Sequence, residues 1–318
     1  MKEIYLCEKE TKLRAVYGTE DKVFQKADLE ANPESFRDTE IVFSTWGMPA
    51  LEEEEIRRLL PSLKAVFYGA GSVQGFARPF LNLGVKVFSA WAANAIPVAE
   101  YVTAQIILAN KSFFRNMRYR NKKEGKALLA RFPGNYGAKV GIIGAGTIGK
   151  LVIRRLCDYK LSVLVFDPFL PDETAAELGV EKVSLERLFA ECDVVSNHLA
   201  NNAATCGMLQ YRHFASMKPW ACFLNTGRGA QVVEADLIRA LTEREDLTAV
   251  LDVTSPEPPE EGGPLYTLPG CILTPHIAGS SGNEVRRMGE WMKAECEAYK
   301  AGKETRYEVT LKMLETMA

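Results

Sequence analysis

Lys139-Val140-Gly141-Ile142-Ile143-Gly144-Ala145-Gly146-Thr147-Ile148-Gly149 decides the fold of this 318-residue chain. Val140–Ile143 is a near-continuous apolar run, as expected of a strand buried on both faces of a parallel sheet. Gly144, Gly146 and Gly149 follow it and open a helical pattern, Ile148–Tyr159. The first glycine permits a tight turn, the second lets backbone approach a pyrophosphate, and the third allows close helix–strand packing. The helix start at Thr147 and Ile148 then faces the anion. Asp167 closes the next strand, Ser162–Phe166, about 20 residues on. Its carboxylate suits the two adenosine ribose hydroxyls and repels a 2′-phosphate, which points to NAD rather than NADP. The competing reading is a helix-capping loop beside a solvated Asp167.

The pattern repeats downstream. Val194–His198, Cys222–Asn225, Ala249–Asp252 and Cys271–Thr274 read as strands, with Leu185–Ala190 and Glu234–Glu243 as helices between them. Alternating strands and helices indicate a doubly wound parallel α/β sheet. Upstream, Ile4–Cys7, Ile41–Thr45, Ala65–Tyr68 and Val85–Phe88 read as strands, and Leu51–Leu60, with Pro61 near its end, as a helix. A helical pattern from about Pro97, placed in the first turn, to Lys123 is long enough to bridge two domains. The helix Asn283–Ala301 returns the chain to the first domain. That makes the N-terminal domain discontinuous and leaves a cleft between the domains.

Composition is that of an ordinary globular chain, 47% hydrophobic and 25% charged. A net charge of −2 gives no reason to expect nucleic acid or an anionic membrane. The start of the chain reaches Glu8, Lys9 and Glu10 too soon for a signal peptide, and Tyr101–Ala109 is too short to span a bilayer. Seven cysteines form no Cys-x-x-Cys pair and no zinc spacing, so no metal is expected and the thiols read as reduced, in the cytoplasm.

Three groups on separate segments carry chemistry: Arg228 in Asn225-Thr226-Gly227-Arg228-Gly229, Glu257 in Ser255-Pro256-Glu257-Pro258, and His276 in Thr274-Pro275-His276-Ile277. Each lies just past a strand end, where open α/β sheets place ligands. An arginine fork matches a carboxylate with an adjacent carbonyl oxygen; its plain alternative is a salt bridge to Glu234 or Asp236. Histidine exchanges a proton near neutrality, and a carboxylate such as Glu257 orients the ring and raises its pKa. Of the other histidines, His213 reads as a surface or packing residue. His198 either lines a cofactor pocket or bonds a backbone carbonyl. In Gly69-Ala70-Gly71-Ser72 the backbone amides hold a substrate carboxylate or simply make a turn. Trp46 and Met48 shape a substrate pocket or pack their loop.

These motifs, with Met217-Lys218-Pro219 and Leu251-Asp252-Val253, resemble the D-2-hydroxyacid dehydrogenase family, which includes phosphoglycerate, glycerate and D-lactate dehydrogenases. The resemblance covers nearly the whole chain and is most specific from Val140 to Ser280. It implies a Rossmann nucleotide-binding domain, residues 101–283, and a discontinuous flavodoxin-like substrate domain, residues 1–100 and 284–318. It matches Arg228, Glu257 and His276 to the family's catalytic set and Asp167 to its adenosine-binding acid. Asp252 matches an acid near the nicotinamide, and His198, Thr205 and Thr226 match the cofactor cleft. A homodimer is also implied.

The chain departs from the family at Leu199-Ala200-Asn201-Asn202, where Pro-Leu-Thr is common, and at Gly71-Ser72-Val73, where Gly-Val-Asp is common. It ends soon after the return helix, so no regulatory domain is expected.

The expected activity is NAD-dependent interconversion of a small D-2-hydroxy acid and a 2-oxo acid. Arg228 holds the substrate with Ala70, Gly71 and Trp46, and His276 with Glu257 exchanges the proton. Domain closure excludes water. A formate dehydrogenase would call for Gln in place of Glu257. The alternative from another class is an NAD-binding regulatory or corepressor-like protein on the same fold.

Overall fold

The computed structural model describes residues 1–117, 123 and 132–315. The chain divides into two compact units, Met1–Ala95 with Ser280–Ala318, and Ile96–Gly279. The divisions fall a few residues before the sequence-derived boundaries at 100/101 and 283/284.

In the first unit the strands β1 (Lys2–Leu6), β2 (Val23–Phe24), β3 (Thr39–Ser44), β4 (Ala65–Tyr68) and β5 (Lys86–Ser89) are parallel, in the order β2-β1-β3-β4-β5. That is the flavodoxin-like order. Successive side chains on a strand face opposite ways, so the two faces bury different sets. Val42, Val66 and Val87 join one core with Ile56, Leu59 and Phe80. Ile41, Phe43, Phe67 and Phe88 join the other with Leu13, Val16, Met288 and Met292. Tyr5, Phe43, Phe67 and Phe88 form a ladder across four strands, with ring centroids 4.6–5.5 Å apart. The return helix Glu284–Lys300 supplies Met288 and Met292, so a segment far along the chain completes the first unit's core.

In the second unit β6 (Lys139–Ile143), β7 (Ser162–Phe166), β8 (Glu181–Lys182), β9 (Val194–Asn197), β10 (Cys222–Asn225), β11 (Thr248–Leu251) and β12 (Cys271–Leu273) are all parallel. Their order is β8-β7-β6-β9-β10-β11-β12. It is the dinucleotide-binding order extended by one strand, with its reversal between β6 and β9. Val140, Ile142, Val165, Val194, Leu224 and Val250 bury one face. Ile143, Leu164, Val195, Phe223 and Leu251 bury the other.

The helix Trp91–Asn110 carries the division between the units. It starts earlier and stops sooner than its pattern suggested. Pro97 lies inside it, not in its first turn. Its length and apolarity would suffice to cross a membrane, yet Val98, Ala99, Val102, Ile106 and Ala109 are packed in the second unit's core. A short helix, Phe113–Asn116, follows, and residues 118–122 of the expected helix lie outside the described residues. The sequence pattern also missed the helix Glu10–Tyr17, the two-residue strands β2 and β8, and β13 (Glu308–Val309), which pairs antiparallel with β5. Two-residue strands are too short to show a period.

Candidate active site

The glycine turn sits at the β6 end of the strand reversal. Gly144 has φ 87°, and a Cβ there would lie 2.8 Å from the His198 carbonyl oxygen. A Cβ on Gly149 would lie 2.1 Å from the Gly144 carbonyl oxygen, so only glycine lets the helix Thr147–Leu156 pack this closely. A Cβ on Gly146 would meet nothing within 4 Å, which leaves room at the helix start. No side chain among the described residues caps that start. Asp167 Oδ2 accepts from the Ala145 amide at 2.7 Å, and Oδ1 from the Phe169 amide at 2.8 Å. The carboxylate therefore braces the turn, and each oxygen keeps a further lone pair.

Across the reversal, the His198 amide donates to the Ile143 carbonyl at 2.7 Å. The ring meets Ser196 Oγ through Nε2 at 2.9 Å, and its buried Nδ1 has no hydrogen-bond partner among the described residues. Burial pushes its pKa down to about 4, so the ring is neutral at pH 7. Thr226 Oγ1 is also buried without a partner among the described residues. Buried polar atoms left over in this way ask for a ligand or water. Thr205 differs: its hydroxyl donates to Ala200 O at 2.6 Å and accepts from the Asn202 amide, closing its own loop.

Arg228 follows β10 in extended backbone, φ −142° and ψ 147°. Its Nη1 donates to Gly227 O at 2.7 Å. Burial lowers its pKa, and the Glu257 carboxylate opposes that shift. Neither carboxylate of the plain alternative pairs with it. Glu234 accepts from the Ser255 amide and Asp236 from the Tyr211 amide.

His276 Nδ1 lies 2.6 Å from Glu257 Oε1, so the expected imidazole–carboxylate pair is formed. His276 has φ 54°, a left-handed conformation unusual for a residue with a side chain. Asp252, 3% exposed, holds it there. Oδ1 accepts from Thr274 Oγ1 at 2.6 Å and the Ile277 amide at 2.8 Å, Oδ2 accepts from the Ala278 amide at 2.9 Å, and the Asp252 carbonyl accepts from the His276 amide at 3.1 Å. The carboxylate placed near the nicotinamide by resemblance is thus the clamp of the His276 segment.

This second unit matches, over residues 104–278, the model of the NAD binding domain of D-isomer specific 2-hydroxyacid dehydrogenases. The chain belongs to that family. D-3-phosphoglycerate dehydrogenase of Archaeoglobus fulgidus is 34% identical over 200 residues, 62% of this chain and 38% of its own length. The chain thus spans well under two thirds of that relative. Glyoxylate reductase of Korarchaeum cryptofilum is 31% identical over 79% of this chain and 77% of its own. The structure of D-mandelate dehydrogenase from Rhodotorula graminis shares the fold over 97% of both chains, with TM-score 0.78 and 21% identity. The NAD-binding fold of the family suits the residues seen here: an open helix start at Gly146, a braced Asp167, and buried partnerless atoms on His198 and Thr226.

In the first unit, the Gly69–Gly71 loop follows β4. Thr45 Oγ1 donates to Gly69 O at 2.9 Å, and Ser89 Oγ lies 2.5 Å from Gly71 O and 3.0 Å from Ala70 O. Hydroxyls at neighbouring strand ends hold the carbonyls, while the Ala70 and Gly71 amides donate no hydrogen bond among the described residues. Trp46 and Met48 are partly buried against the first unit's core, and Lys12 Nζ stands 5.8 Å from the Trp46 ring centroid. His213 is a packing residue, buried 5.3 Å from the Phe189 ring with Nδ1 accepting from the Gln210 amide.

Sequence reasoning missed two groups. One is Asn94, whose Oδ1 accepts from the Ser280 amide and whose Nδ2 stands 3.4 Å from where a Gly71 Cβ would be. The other is a set of buried amides, Asn197, Asn225 and Gln231. The signal was available: Asn197 and Asn225 end adjacent strands in register, polar where the strands are otherwise apolar.

Proposed function

We propose that the chain is an NAD-dependent oxidoreductase interconverting a D-2-hydroxy acid and its 2-oxo acid. The observation that carries the reading is the His276–Glu257 pair at 2.6 Å, beyond the same sheet as the half-buried Arg228. When bound at the glycine turn, NADH would supply a hydride for C2 of the 2-oxo acid. Arg228 takes the 2-oxo oxygen and one carboxylate oxygen in its fork and stabilises the developing alkoxide. Protonated His276 gives its Nε2 proton to that oxygen, while Glu257 at Nδ1 fixes the ring and balances its charge. In the oxidative direction the same nitrogen takes the proton back. Asp252 orders the His276 segment. The Ala70 and Gly71 amides are assigned to the substrate carboxylate and Trp46, past the end of β3, to the substrate pocket; that the Ala70 and Gly71 amides donate no hydrogen bond among the described residues supports the first of these. Gly144, Gly146, Thr147, Ile148, Gly149, Asp167, His198, Thr205 and Thr226 are assigned to the cofactor site, Thr205 through its loop. Homodimerisation and a cytoplasmic location complete the reading, and the seven free thiols agree with a reducing compartment.

The test is NADH oxidation with a series of 2-oxo acids from glyoxylate and pyruvate to branched and aromatic acids. Turnover lost in His276→Ala with NADH binding kept supports the reading. NADH binding without turnover on any acid overturns it in favour of a binding protein.

A further inference from the structure

We propose that Gln231 is a positioning residue for Arg228, a role that rests on the function proposed above. Its side chain is fully buried and makes three hydrogen bonds, one within its own turn and two to residues 197–199 at the end of β9. Oε1 accepts from the Arg228 amide at 3.1 Å and from Asn197 Nδ2 at 2.6 Å. Nε2 donates to Leu199 O at 2.7 Å. Both acceptor sites and one of two donors are thus used. Asn225 completes the frame. Its Oδ1 accepts from Asn197 Nδ2 and from the Gly227 amide, and its Nδ2 donates to the Arg228 carbonyl at 3.3 Å. The peptide groups on both sides of Arg228 Cα are therefore fixed by side chains, which fixes the direction in which the guanidinium leaves the chain.

The packing leaves no slack. A Cβ on Gly227 would stand 2.7 Å from Gln231 Oε1 and 3.0 Å from Asn197 Nδ2. The Gln231 backbone is pinned as well: its carbonyl accepts from the Leu209 amide at 2.9 Å, beside the Leu209–Val232 bridge. With its backbone fixed, the amide cannot retreat. Through Leu199 the same amide also holds the segment that follows His198. Gln231 thereby ties the Arg228 backbone to the β9 end of the sheet. The frame is neutral, so it holds a cation without a counter-charge that would compete with a substrate carboxylate.

The experiment compares wild type, Gln231→Leu and Gln231→Glu. Protonated Glu copies glutamine: its carbonyl accepts and its hydroxyl donates to Leu199 O. Ionised Glu places an acceptor oxygen, with no proton to donate, against that carbonyl. The titratable groups along these segments are His198, Arg228 and Glu234, and Glu257 acts on Arg228 from its own loop; all are common to wild type and variant, so an added ionisation belongs to residue 231. Gln231→Leu is expected to lose about 10- to 100-fold in kcat with a 2-oxo acid, as misplacement by an ångström does, with NADH Kd within a few-fold of wild type. Gln231→Glu is expected to keep turnover at low pH and lose it as pH rises, through one ionisation that wild type lacks. A Gln231→Leu kcat within about threefold of wild type, or a Gln231→Glu pH profile superposing on wild type, overturns the positioning role. The Arg228 Nε–H NMR signal, recorded in wild type and Gln231→Leu, reads the frame without turnover. One sharp line that broadens or splits supports the role, and an unchanged line overturns it. If wild type reduces no 2-oxo acid, the functional reading fails and this signal alone decides whether Gln231 positions Arg228.

Discussion

Arg228 and His276 stand beyond ends of the same sheet, past β10 and β12, and are held in opposite ways. The Arg228 segment is fixed by neutral buried amides, Asn197, Asn225 and Gln231. The His276 segment is fixed by one buried carboxylate, Asp252, which accepts from three donors. The Arg228 side chain is half-buried and its Nη1 turns back on the Gly227 carbonyl, whereas the His276 ring is exposed and paired with Glu257. The difference follows from charge. A frame around a cation has to satisfy polar groups without adding an anion that would quench the fork. A frame around an imidazole needs a strong acceptor for backbone amides, because a left-handed residue has to be held against its own preference.

The largest effect is expected at the exposed end. His276→Ala should lower kcat by about 10²–10⁴-fold with NADH Kd little changed, as loss of a general acid does. Equal turnover in stopped-flow single-turnover assays would remove the proton-transfer role from this segment.

Asp252→Ala comes next and should be the most destabilising change in either frame. It strips the acceptor from the Thr274 hydroxyl and the Ile277 and Ala278 amides together, at a cost of at least about 3 kcal/mol. The midpoint of urea unfolding checks it, and a shift no larger than that of Asn197→Ala would erase the contrast between charged and neutral frames.

The amide side carries its own pH signature through His198. Its folded pKa of about 4 lies below the ordinary 6.5. Between those values the unfolded chain binds a proton that the native chain does not. Stability is therefore complete above about pH 6.5 and declines as pH falls towards 4, by up to about 3 kcal/mol. His198→Gln should flatten this part of the stability–pH curve. A curve of unchanged slope would show that the ring is not the group responsible.

Asn197→Ala should have the smallest effect, about 1–2 kcal/mol, because its lost bonds are neutral and Gln231 keeps the Arg228 amide and Leu199. A loss matching Asp252→Ala would show that the amide frame is as demanding as the carboxylate one.

Much of this was legible in the sequence for a definite reason. A strand buried on both faces writes itself as an apolar run, and a dinucleotide turn needs glycine where a Cβ would strike backbone, as at Gly144 and Gly149. Local covalent geometry therefore named β6, the turn and the strand-end positions of Arg228 and His276. The extent of the helix Trp91–Asn110 was not legible, because Pro97 suggests a beginning while packing in both cores extends the helix before it. The two-residue strands exist only through their neighbours.

By itself the sequence determined the fold class, the central strands of the second sheet and the chemical groups available, because these depend on periodicity and on steric limits within a few residues. Only the tertiary structure decided that Asp252 serves the His276 segment, that Thr205 closes its own loop, and that Gln231 ties the Arg228 turn to residues 197–199 through one amide. A side chain's hydrogen-bond partners come from distant parts of the chain, and no local pattern records which of them will be within about 3 Å.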